Sequence, residues 1–122
     1  MKTIDKSTLA INLLDFNSSI ASGQKFSRET LHLFCSPLFL EAMYALFDKN
    51  IQTVSCGSGK ERNILPGITG NYETLTIENK EVVKELMISP TEFRIGAEIS
   101  DTTTFFEFES KLLEIINKLN QQ

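Results

Sequence analysis

The chain has 122 residues, 41% of them hydrophobic and 23% charged, which fits one globular domain, 1–122, and excludes a disordered, fibrous or disulfide-dense scaffold. Twelve basic against sixteen acidic residues leave a net charge of −4, so nucleic acid is a poor partner for the surface as a whole. No stretch approaches 18 uninterrupted apolar residues, no membrane span is expected, and Met1-Lys2-Thr3-Ile4-Asp5 carries an acid where a secretory leader is basic. A cytoplasmic protein with reduced thiols is therefore expected.

In chain order, Leu9, Leu13, Phe16 and Ile20 recur at helical spacing behind Asp5 or Ser7, although Leu9, Ile11 and Leu13 also alternate as a strand would. Asn17 to Lys25 reads as a loop, and Ser27 caps a short helical stretch through Phe34. Ser36-Pro37 is the clearest start signal, a capping side chain followed by proline at the first helical position, and predicts a helix from Pro37 to about Lys49. Its apolar residues from Leu38 to Phe47 cover most of the circumference, so the helix is either central to the core or meets a partner.

Ile51 to Cys56 reads as a strand, Tyr72 to Ile77 as a second, and Phe93, Ile95, Ala97 and Ile99 as a third with one wet face. Asn79 is expected to cap a helix carrying Val82, Val83, Leu86 and Met87. Thr104 and Glu107 form a capping box for the last helix, which has Glu107–Lys111 and Glu114–Lys118 at i,i+4. Phe105, Phe108, Leu112, Ile115, Ile116 and Leu119 form its apolar side, and Phe106 and Leu113 widen that side to about half the circumference. The order predicts an α+β two-layer sandwich, a three- or four-stranded mostly antiparallel sheet with helices on one face.

Fifteen residues separate Cys56 from Tyr72 and hold four of the six glycines. Connections of that length are often functional. Glycines after a strand let backbone N–H groups face an anion, with Lys60 and Arg62 adding charge, so Cys56, Gly57, Ser58, Gly59, Lys60 and Arg62 form the candidate ligand-binding set. The structural alternative gives the glycines to turns and the two cations to solvent. A P-loop is excluded, since Val54 stands where its first glycine belongs and Glu61 follows the lysine. A Rossmann-type methyltransferase loop needs a helix where Pro66-Gly67 stands.

The helix ending in Asp48-Lys49-Asn50 and the run Ile51-Gln52-Thr53-Val54-Ser55-Cys56 resemble small, mostly uncharacterised α+β domains in which an apolar helix leads to a Gly-Ile-x-Thr-x-x-Ser-Cys-x-Gly strand and turn. A related run occurs in the Tyw3-like wybutosine tRNA methyltransferases. Thr53, Ser55 and Cys56 match it, while Gly57, Ser58 and Gly59 stand where it has Ser, Gly and Arg. The resemblance covers about twenty residues and implies a local strand-turn geometry, not the methyltransferase activity.

Cys56 is the one weak candidate nucleophile, with His32 the sole histidine to serve it. His32, Cys35 and Cys56 are weak candidates for a three-ligand metal site, and no cofactor is expected. The leading expectation is a non-enzymatic interaction or regulatory domain that forms a homo-oligomer or binds a protein. The alternative is a ligand-binding domain or enzyme that uses Cys56–Arg62 for an anionic or nucleotide-like ligand.

Overall fold

Ser36 and Pro37 start the first helix as their order predicts. Ser36 Oγ accepts the Leu38 N–H at 3.2 Å, and Pro37 opens α1, Pro37–Asp48. The structure, a computed structural model, describes residues 36–122, so the elements expected between Asp5 and Phe34 lie outside it. At the other end of α1, Asn50 takes a left-handed φ of 60°. Its N–H and that of Ile51 close on the carbonyls of Phe47 and Leu46, the paired bonds of a Schellman stop. That stop turns the chain into β1, Thr53–Gly57, two residues later than Ile51.

The second strand is not where alternation placed it. Tyr72 to Ile77 forms a 3₁₀ turn, Tyr72–Thr74, and the entrance to a helix, while β2 is Gly67–Asn71, inside the expected loop. Asn71 Oδ1 accepts the Glu73 N–H at 3.0 Å, an Asx turn that ends the extended run where Tyr72, Thr74 and Thr76 would have continued it. Thr76, not Asn79, caps α2, Ile77–Val83, its Oγ1 accepting from Asn79 N at 3.3 Å. Leu86 and Met87 also leave the helix: Lys84–Leu86 tightens to 3₁₀, and Met87–Ser89 becomes β3. A turn at Pro90-Thr91 leads to β4, Glu92–Gly96, which ends three residues short of Ile99.

The sheet has the order β1-β2-β4-β3 with every pair antiparallel. Its register sorts the side chains. Cys56, Ile68 and Ile95 stand opposite one another across three strands, and Gly70 stands opposite Phe93; these residues form the core face. Ser55, Thr69 and Arg94 form the next row, on the outer face. Gly70 is required where it is, because a Cβ there would lie 2.3 Å from Phe93 Cζ.

Thr104 caps the last helix, α3, Phe105–Ile116, by accepting from Glu107 N at 3.1 Å. Phe108, Leu112 and Ile116 face inward and are fully buried. The Glu107–Lys111 and Glu114–Lys118 pairs are not among the ion pairs of the described residues. Phe39 of α1 meets Phe108 edge-on, with ring centres 5.8 Å apart, near the starts of both helices. At their ends Lys49 Nζ donates to the Ile116 and Leu119 carbonyls, at 2.9 and 2.6 Å. The two helices therefore run in the same direction, and Lys49 neutralises the exposed carbonyl end of α3.

Leu38 to Leu119 contribute to one continuous core between these helices and the sheet. This is the predicted α+β architecture, with four strands. Asn79, fully buried, ties α2 to the segment after α3: its Oδ1 accepts from Asn120 N at 2.7 Å and its Nδ2 donates to Asn120 O at 2.9 Å. No described helix is long and apolar enough to cross a membrane.

Candidate functional site

With β2 beginning at Gly67, the loop shrinks to the nine residues 58–66 and returns the chain across the outer sheet face. Gly57, Gly67 and Gly96 form one cross-strand row on that face. A Cβ on Gly96 would sit 2.5 Å from the Pro66 carbonyl, so this bare row is what lets the loop lie against the sheet. Within it Gly59 and Asn63 adopt left-handed φ values of 72° and 55°, on either side of a 3₁₀ turn, Lys60–Arg62.

The loop's amides turn inward. Lys60 N donates to Ser58 Oγ at 3.3 Å, Arg62 N and Ile64 N to Gly59 O at 3.1 and 3.0 Å, and Asn63 N to Lys60 O at 3.3 Å. Four of the amides that a backbone anion cradle could use are thus occupied by the loop's own oxygens. The charged groups available here are side chains.

The principal side chain is one that sequence reasoning assigned only to a wet face. Arg94 is 6% exposed, and it donates through Nε to Leu65 O at 2.9 Å, through Nη1 to Thr69 Oγ1 at 2.8 Å and through Nη2 to Gly57 O at 2.8 Å. It thereby pins both ends of the loop to the central strands. All three acceptors are neutral, and no carboxylate pairs with Arg94 among the described residues. Burial lowers its pKa to about 10, with Cys56 raising it and the nearby Arg62 charge lowering it further. At neutral pH the guanidinium is still charged.

Arg62 is exposed and reaches Glu92, with Nη2 3.1 Å from Oε1; Ser89 Oγ donates to the same oxygen at 3.3 Å. Glu92 precedes Arg94 by two residues on β4, so both project from the outer face. Of the other expected site residues, Lys60 is exposed at the loop, while Ser58 and Gly59 are half-buried. Gly57 contributes its carbonyl to Arg94. Cys56 does not join them: it is fully buried on the core face, opposite Ile68. A nucleophilic thiolate needs solvent contact, which such a position withholds. His32 and Cys35 lie outside the described residues, and among those residues no three His, Cys, Asp or Glu side chains gather as metal ligands.

The helix layer offers a second surface. Phe106 is 63% exposed on α3, and Leu113, two turns along the same side, is half-buried. Phe47 on α1 is 38% exposed. Along α3 between Phe106 and Leu113, Glu109 carries a carboxyl raised above its ordinary value, first by burial and then by the Glu41 charge on α1. The widened apolar stripe of the last helix was legible in sequence, and it ends in a phenylalanine ring left largely in water. Comparison with known proteins finds no family model, no curated protein and no solved structure that matches the chain.

Proposed function

We propose that the chain is a small cytosolic interaction or regulatory domain, not an enzyme, that associates with a second copy of itself through the helix layer. The exposure of Phe106 carries this reading. A phenylalanine side chain transferred from water into an apolar contact contributes about 1.5–3 kcal/mol, and aromatic rings are the usual anchors of protein interfaces. Leu113 on the same side of α3 extends the apolar surface, and Glu41 and Glu109 supply the polar margin of such a contact. Sedimentation of the protein across low to high micromolar concentration tests it. A concentration-dependent dimer that Phe106→Ser converts to monomer, with unfolding temperature maintained, is the expected result. A strict monomer at high micromolar concentration ends the self-association.

A second reading rests on a different observation: Arg62 reaches Glu92, two residues from buried Arg94 on the same face of β4, in a loop that also displays Lys60. In it the loop from Ser58 to Arg62 holds an anionic or nucleotide-like ligand by the side-chain charge of Lys60 and Arg62. A thermal-shift screen with nucleotides, S-adenosylmethionine and simple anions tests this reading. Stabilisation should disappear in a Lys60→Ala/Arg62→Ala double variant, and a full shift in that variant removes the loop from consideration.

A further inference from the structure

We infer that the outer sheet face beside Arg62 and Arg94 is a site for a small oxyanion, inorganic phosphate or a phosphate monoester, with Glu92 as its built-in competitor. The inference rests on the second reading above and adds the ligand class and two residues, Arg94 and Glu92. Its first support is a buried cation whose described hydrogen-bond acceptors are all neutral. A buried cation is ordinarily matched by a carboxylate, because neutral acceptors only partly replace the water around it. Arg94 has three neutral acceptors, Leu65 O, Thr69 Oγ1 and Gly57 O, and no carboxylate among the described residues.

The second support is the placement of Arg62. It bonds Glu92, two residues from Arg94 on the same face of β4, which brings its positive charge to the part of the outer face where Arg94 is buried. Yet it is solvent-exposed and held by a single carboxylate oxygen, 3.1 Å away. An exposed pair of this kind is worth about 0–1 kcal/mol and opens readily. A guanidinium fork matches two oxygens of a phosphate, and a doubly charged anion also gains from the Arg94 charge below, which Glu92 meets only in part. In this arrangement Arg62 touches the ligand, Arg94 sets the potential beneath it, and Glu92 occupies Arg62 when no ligand is bound. The amides of Lys60, Arg62, Asn63 and Ile64 play no part, because they are bonded within the loop.

The test is titration calorimetry with inorganic phosphate, and in parallel with adenosine monophosphate, at constant ionic strength set by chloride. Wild type, Glu92→Gln, Arg62→Gln and the double variant Glu92→Gln/Arg62→Gln are compared, each first checked for an unchanged unfolding temperature without ligand. Glu92→Gln should bind phosphate about tenfold more tightly than wild type, and Arg62→Gln should weaken binding by about tenfold or more, the effect of removing one charge-assisted hydrogen bond. Binding seen only in Glu92→Gln and abolished in the double variant also supports the site. Phosphate affinity insensitive to both substitutions, or no phosphate binding in Glu92→Gln, overturns it. If adenosine monophosphate binds wild type and not Arg62→Gln while phosphate fails with Glu92→Gln, the loop reading stands and this inference falls. If neither ligand binds any of the four proteins, both fall.

Discussion

On its core face the sheet presents Cys56, Ile68, Phe93 and Ile95 to two parallel helices; on its outer face stands the row Ser55, Thr69 and Arg94, and Arg94 meets a nine-residue loop. Both faces are buried along these rows, but by different physics. The core face gains from non-directional removal of apolar surface, roughly 25 cal/mol per Å², and accommodates any side chains of suitable volume. The outer face depends on three directed hydrogen bonds from one guanidinium whose desolvation offsets much of their gain. The core face is therefore stabilised by many small non-directional contributions, whereas the outer face carries a set of directed bonds centred on Arg94.

The sharpest way to separate the two is to injure each in turn. Phe108→Ala removes a fully buried ring in edge contact with Phe39 and should cost about 3–5 kcal/mol in urea unfolding, without preferential cleavage of the loop 58–66 under native-state proteolysis. Arg94→Met retains the volume but leaves Leu65 O, Gly57 O and Thr69 Oγ1 without their donor. It should cost about 2–3 kcal/mol and make that loop the first proteolytic cut. A loss under about 1 kcal/mol with the loop still protected would show that Arg94 does not hold the outer face.

The smallest effect lies on the solvent side of the helix layer. Because the Glu109 carboxyl is raised in the folded protein, the unfolded chain releases that proton first as pH rises. This group's contribution to stability therefore declines from the ordinary carboxylate range, about pH 4, up through its raised value, and stays lower at neutral pH. Glu109→Gln should be more stable than wild type at pH 7 by less than about 0.5 kcal/mol, given the solvent screening, and the advantage should vanish below about pH 4. A variant that is less stable at pH 7, or equally advantaged at pH 3, would mean that Glu109 is not held in the environment described.

Legibility in the sequence followed how local each determinant was. Ser36-Pro37 and Thr104-x-x-Glu107 carry their own capping groups, and both helices start where those residues stand. Gly67–Asn71 has two glycines in five residues and no β-rich signature, so its role as a central strand comes from its neighbours on both sides and from the Phe93 ring that fills the space above Gly70. Tyr72 to Ile77 erred in the opposite sense: its alternation was real, but the side chains of Asn71 and Thr76 captured backbone N–H groups and bent it into a turn and a helix start. The candidate site was legible in its location and not in its principal residue. Lys60 and Arg62 stand in a glycine-rich segment, whereas nothing about Arg94 in a half-wet strand showed that the loop would close over it.

By itself, then, the sequence determined the α+β class, the starts of the two long helices, the stop after α1, and a last helix with more apolar surface than one sheet face uses. Each depends on spacing and capping within a few residues. Tertiary structure alone decided that β2 is a strand, that Cys56 faces the core and that Arg94 is buried beneath the loop. Strand pairing and the burial of a charge are settled by residues distant in the chain, and neither leaves a periodic mark on the segment concerned.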